Sequence, residues 1–327
     1  MDEMKQDTVA LEEMLIVSDS PHLRSNESVR RTMLDVIIAL LPATIGSIYF
    51  FGMNALMLVL VTIISAVVFE AAFQKLFKRP VRIGDLSAVV TGLLLALNLP
   101  ATAPWWVAVF GSGFAIIIVK EFFGGVGQNF MNPALGARAA LVASWPGIMT
   151  NYVNPDGMSV ATPLTILKEG GSLPSIERMV VGNIGGVIGE TSVILLLIGA
   201  AYLLIRKVID WKIPVLYIAT TAIVVLLLGE SIDDMIYHIL GGGLIIGAFF
   251  MATDYASSPV TPVGRIIFGV GCGLLTALIR VLGGMPEGVS YSILLMNVAT
   301  PVIERWTKPR VFGESKKNDE TGGGRKQ

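Results

Sequence analysis

Ten runs of apolar residues follow one another with only short polar breaks between them, which leaves this chain little choice but to form a bundle of helices inside a bilayer. They cover residues 33–51, 55–73, 86–99, 105–119, 133–145, 188–205, 213–228, 235–251, 266–281 and 289–303. A hydrocarbon core of roughly 30 Å takes about 20 helical residues, and only helices or closed barrels satisfy their backbone there. The third and fifth runs are too short to span and are expected as half-helices shielded by protein. Composition agrees, with 53% hydrophobic and 15% charged residues against about 25% charged in soluble domains. The expected fold is an all-α polytopic membrane protein, one membrane domain over residues 33–306. An N-terminal segment 1–32 and a basic tail 307–327 flank it, and the longest loop covers 146–187. The first 32 residues have no signal-peptide apolar core, so the first run is expected to stay as a helix.

Lys and Arg are retained on the cytoplasmic side during insertion. With the N-terminus inside, all of the 24 basic residues except Arg138, Lys168, Arg178 and Arg280 fall inside, Lys120 among them. The loop 146–187 then faces the extracytoplasmic side, and both termini are cytoplasmic. The expected location is the bacterial cytoplasmic (inner) membrane.

Five is an odd number, so two successive five-segment halves have opposite orientation. The run ending in Asn98-Leu-Pro100 has a counterpart in the one ending at Thr253-Asp254, and Gly124-Gly125 has one in Gly283-Gly284. These paired breaks are expected to point at one central site. Clustering of Gly and Pro at ordinary helix ends explains them as well.

Three motifs carry chemistry. Asp156-Gly-Met-Ser-Val-Ala-Thr-Pro-Leu164 lies on the long loop; Gly124-Gly-Val-Gly-Gln-Asn-Phe-Met-Asn-Pro-Ala-Leu-Gly-Ala-Arg138 precedes and opens the fifth run; Phe250-Met-Ala-Thr-Asp254 ends the eighth. In this order, and with the hydropathy pattern, the chain resembles the RnfD and NqrB family from about Leu23 to Arg310. Length favours the Rnf member of that pair. The resemblance implies FMN carried on Thr162 through a phosphoester, with Asp156 and Ser159 as neighbouring motif residues, attached by a separate flavin transferase that uses FAD. Val160 occupies a position the pattern usually gives to Gly. Read from the residues alone, Thr162 before Pro163 is a helix N-cap, which is compatible with the ester.

The family likeness further implies a second, non-covalent flavin, riboflavin, near Asn129 and Asn132. The residues by themselves leave open a cap and interhelical hydrogen bonds. Charges at membrane depth are candidate functional groups. Arg138 is expected to touch a flavin or ion, or to sit in a structural ion pair; Asp254 is a candidate at a paired break; Glu70 is a third, if it is not simply interfacial.

One cysteine, Cys272, cannot supply an iron–sulfur cluster. His22 and His238 are isolated, so no metal site is expected, and Gly124-Gly-Val-Gly127 lacks the frame of a dinucleotide fingerprint. Nothing here points to nucleic acid. The implied function is a membrane flavoprotein subunit of an Rnf-type complex, an ion-translocating ferredoxin:NAD oxidoreductase that couples electron transfer to Na⁺ or H⁺ transport. Its expected partners are other Rnf membrane and peripheral subunits, among them an outer-side flavoprotein subunit and cytoplasmic iron–sulfur and flavin subunits. A passive channel or secondary transporter, and a non-redox scaffold subunit, are the competing readings.

Overall fold

The computed structural model describes residues 28–190, 192–284 and 287–308. Most of the N-terminal segment with His22, and the tail from residue 309, lie outside the described residues. Among the described residues there is no β-ladder, only the isolated bridges Pro100 to Val187 and Val153 to Ser159.

In the first half, α1 (Val29–Phe51) starts at Ser28, whose hydroxyl accepts from the Arg31 N–H at 3.3 Å. It is followed by α2 (Met53–Leu76), α3 (Ser87–Leu97), α4 (Trp105–Phe123) and α5 (Pro133–Ser144). The long loop holds three short helices, α6 (Pro146–Met149), α7 (Pro163–Glu169) and α8 (Ile176–Val181). The second half contains α9 (Val193–Ile205), α10 (Lys212–Leu227), α11 (Ile232–Leu240), α12 (Leu244–Met251), α13 (Pro262–Val281) and α14 (Val289–Thr307).

Each of the ten apolar runs coincides with a helix or a helix pair. Helices α1, α2, α4 and α13 are each long and apolar enough to cross a membrane alone. The chain is a multi-pass membrane protein. Helices α3 and α5 have 11 and 12 residues, as the short third and fifth runs require.

The eighth run is not the continuous helix its hydropathy suggests. It breaks at Gly241-Gly242-Gly243 into α11 and α12, bent by 59°. Gly242 and Gly243 take φ of 60° and 68°, a region where a side chain is strained. Helix α4 also departs from a regular α-helix, continuing from Gly113 into a π-helical stretch, Phe114–Lys120. Helix α12 does the same at Gly247–Met251. Such turns loosen the backbone ladder where something other than the next turn must be satisfied.

Packing repeats between the halves. Helix α2 packs on α3 and α4, α10 packs on α13, and α13 packs on α14. Across the halves, α1 meets α9 and α5 meets α14. Gly199 of α9 lets the two first helices touch, since a Cβ there would collide with the Ala39 carbonyl. Small residues that admit such close approach replace the hydrophobic drive that lipid cannot supply. Facing outward, Ile45, Tyr49 and Leu227 are exposed apolar side chains, as a lipid-facing surface demands.

Candidate functional site

Two cavities open at opposite ends of the bundle. One, of about 340 Å³, lies beside the long loop, and the other, of about 730 Å³, lies at the end where α1, α3 and α5 begin.

The loop cavity is built from a tight ribbon. Asn154 N–H donates to Met158 O at 2.9 Å, Gly157 N–H to Asn154 O at 2.8 Å and Val160 N–H to Tyr152 O at 3.0 Å. Asp156 and Ser159 are exposed on this ribbon and do not line the cavity. Thr162 does line it and is buried. Its Oγ1 accepts from the Thr165 N–H at 3.3 Å and lies 2.9 Å from the Thr165 hydroxyl, with Pro163 in the first helical position of α7. The N-cap reading of Thr162 is therefore correct, and the residue that caps α7 also lines the cavity.

Arg138 forms the inner wall. It is buried, its Nη1 donates to Asn98 Oδ1 at 2.7 Å and lies 3.7 Å from Glu190, and its Nη2 donates to Glu287. Tyr152 donates to the same Glu287 carboxylate. Burial, and then the charge of Glu287, push the Tyr152 phenol well above its ordinary range. Of the two sequence-based readings of Arg138, the ion pair is present. Arg138 also lines the cavity.

Sequence reasoning missed Glu190 and Glu287, although both are acidic residues at the edge of apolar runs. It also missed Arg280, which is buried in α13. Arg280 donates to His238 O, to Gly241 O at 3.2 Å, to Gly242 O at 2.9 Å and to Glu287 O at 3.0 Å. A cation thus covers the carbonyls that the break after α11 leaves without helical partners. No cluster of three or more metal-ligating side chains occurs among the described residues, at His238 or elsewhere.

At the other end, Asn132 caps α5. Its Oδ1 accepts from Ala134 N–H at 3.0 Å and Leu135 N–H at 3.2 Å, and its Nδ2 donates to Met251 O at 3.3 Å. Asn129 Nδ2 donates to Asp254 Oδ2 at 3.4 Å, and Asp254 also accepts from the Ser257 hydroxyl at 2.9 Å. The Gly-rich motif of the first half and the Phe250 to Asp254 motif of the second therefore meet at one cavity, which Phe249, Phe250 and Leu94 make largely apolar. Its few convergent polar groups in an apolar wall have the make-up of a small-molecule site.

Lys120 borders this cavity but is not the solvated loop cation that the orientation rule suggests. It is buried and donates to Glu70 at 2.8 Å and to the Ser87 hydroxyl at 2.7 Å. Glu70 is likewise buried. Gln74 ties the pair to Glu121, bonding Glu70 at 3.3 Å and Glu121 at 3.0 Å.

The model of the NQR2, RnfD, RnfE family matches residues 16–313. The chain belongs to this family. A relative from Acetobacterium woodii, named as the D component of a Na(+)-translocating ferredoxin:NAD(+) oxidoreductase complex, is 56% identical over 92% of this chain and 96% of its own length. One from Clostridium ljungdahlii, named as the D component of a proton-translocating ferredoxin:NAD(+) oxidoreductase complex, is 45% identical over 91% and 96%. The D component of an ion-translocating oxidoreductase complex from Halorhodospira halophila is 37% identical over 90% and 95%. Within the family fold, the three sequence motifs occupy the two end cavities, one pair at the Asn129 end and the third at Thr162.

Proposed function

We propose that this chain is the RnfD membrane component of an ion-translocating ferredoxin:NAD oxidoreductase complex, carrying FMN on Thr162 and a second, non-covalent flavin in the cavity beside Asn129 and Asn132. The observation that carries the reading is Thr162 in the lining of a cavity, in a chain alike over nine-tenths of its length to proteins named as that component. Family membership favours a role within a complex over a passive channel.

The residues fit the group. The cavity has the size of a small-ligand site, an apolar wall from Ala139 and Val142, and polar groups from Arg138, Tyr152 and Glu287. Thr162 Oγ1 would attack the FMN-side phosphorus of FAD held by a transferase. The new O–P bond would form as the phosphoanhydride bond broke, with AMP leaving with the electron pair and the hydroxyl proton passing to the transferase or solvent. Once bound, flavins supply one- and two-electron carriage. Arg138 would present a fixed positive group at the inner wall, while Glu287 and Tyr152 hold its orientation. Asn129 and Asp254 would orient a flavin edge at the opposite end, and the two cavities would place carriers on either side of a roughly 30 Å core. The ion carried with the electrons is Na⁺ or H⁺. The termini and the Asn129 cavity would be cytoplasmic, and the Thr162 loop extracytoplasmic, in the inner membrane. Other subunits of the complex would provide the nucleotide and iron–sulfur chemistry.

Peptide mass spectrometry and in-gel flavin fluorescence, with and without a co-expressed flavin transferase, test this. An FMN-sized increment on the Thr162 peptide is expected. An unmodified Thr162 beside an active transferase would overturn it.

A further inference from the structure

Val160 departs from the attachment pattern, and its surroundings explain how that departure is accommodated. Its backbone N–H closes the ribbon on Tyr152 O at 3.0 Å, and its side chain leaves the cavity lining to Ala161 and Thr162. The Val160 Cγ2 methyl lies on Gly185. A Cβ at position 185 would overlap that methyl and stand 3.3 Å from Asn154 Oδ1. Gly185 does not take a left-handed φ, so what it supplies here is space.

The segment that carries Gly185 cannot easily give way. Val187 bridges to Pro100, Ile188 N–H donates to Leu99 O at 2.9 Å, and Glu190 N–H to Val187 O at 3.1 Å. Valine is stiff at χ1, and a packed contact of this kind transmits a displacement to its neighbours. Thr162 is two residues further along the same extended strand, with φ of −66° and ψ of 154°.

We infer that Val160 and Gly185 form a compensating pair, in which glycine at 185 makes room for a side chain at 160, and that Gly185 is a positioning residue for attachment of the flavin to Thr162. The inference rests on the reading of Thr162 as the acceptor. It predicts that one side chain is tolerated at this contact, at either position, and two are not.

A double-mutant cycle in the full complex tests it, using the parent, Val160→Gly, Gly185→Val and the double variant, each co-expressed with the flavin transferase. The flavinylated fraction at Thr162 is read by peptide mass and gel fluorescence, and thermal melting is followed in parallel. Gly185→Val is expected to lower the flavinylated fraction about fivefold or more, as overpacking of a closed contact does. Adding Val160→Gly should return it toward the parent level. A Gly185→Val protein modified like the parent, or a double variant that stays unmodified, overturns the pairing. An unmodified parent strikes instead at the acceptor reading. The melting cycle still decides the contact in that case, because a compensating pair requires the Gly185→Val loss in melting temperature to be recovered in the double variant.

Discussion

Arg138 in α5 donates to the carboxylate of Glu287, which lies just before α14, so a salt bridge whose arginine is buried joins the fifth apolar run to the start of the tenth. Removing one partner of such a pair strands the other charge, at a cost of about 3–5 kcal/mol. Arg138→Ala is therefore expected to lower melting of the purified complex strongly. Tyr152→Phe removes only one neutral donor to Glu287 and should cost about 1–3 kcal/mol. Equal losses from the two variants would contradict a charge-centred hub.

Glu70 and Lys120 allow the complementary experiment. Both are buried and bonded at 2.8 Å between α2 and α4. Lys120→Met alone leaves a buried carboxylate and is expected to cost about 3–5 kcal/mol, whereas Glu70→Leu with Lys120→Met should recover most of that loss. If the double variant unfolds at the temperature of the single one, the destabilisation comes from lost packing instead of stranded charge.

Thr162 has two separable roles. Thr162→Ser keeps an oxygen for the Thr165 N–H and a hydroxyl at the cavity, so both the helix cap and flavin attachment should survive. Thr162→Ala should abolish the FMN increment and cost about 1 kcal/mol from the lost cap. Fluorescence persisting in the alanine variant would place the covalent flavin elsewhere on the chain.

Asp210 supplies a pH signature outside the spanning helices. Burial pushes its carboxyl up, but the Lys212 N–H at 3.1 Å and Arg265 at 2.7 Å outweigh burial and hold it below its ordinary value of 3.8. A carboxyl depressed in the folded state stabilises above its unfolded value, and that contribution is lost as pH falls through the lower folded value. Asp210→Asn should therefore be less stable than the parent by a constant margin from about pH 5 to 8, with the margin closing below about pH 4. A margin that closes near neutrality instead would assign the effect to another group.

Several features could be read without coordinates because they rest on local rules. Apolar run lengths located the helices, including the short α3 and α5. Thr162 and Asn132 are caps that their following Pro residues announce. Of the paired breaks, Asn98 contacts Arg138 beside the loop cavity, whereas Asp254 meets Asn129 at the opposite end. Hydropathy could not show the bend between α11 and α12, because three glycines do not lower an apolar average enough to mark a break. Nor could the orientation rule reveal that Lys120 is buried, since it counts charges and not their partners.

By itself, the sequence determined the solvent, the helices, the family and the hydroxyl at Thr162, because each depends on residue type and short spacing. Only the tertiary structure decided which charges neutralise one another. Arg138, Glu190 and the Arg280–Glu287 pair come from three separate stretches of chain, and no local pattern links them. A buried charge is tolerated only where its partners are already in place, so that assignment belongs to the packed bundle. The same holds for Val160 and Gly185, whose fit depends on two parts of the long loop meeting across a gap that the sequence does not measure.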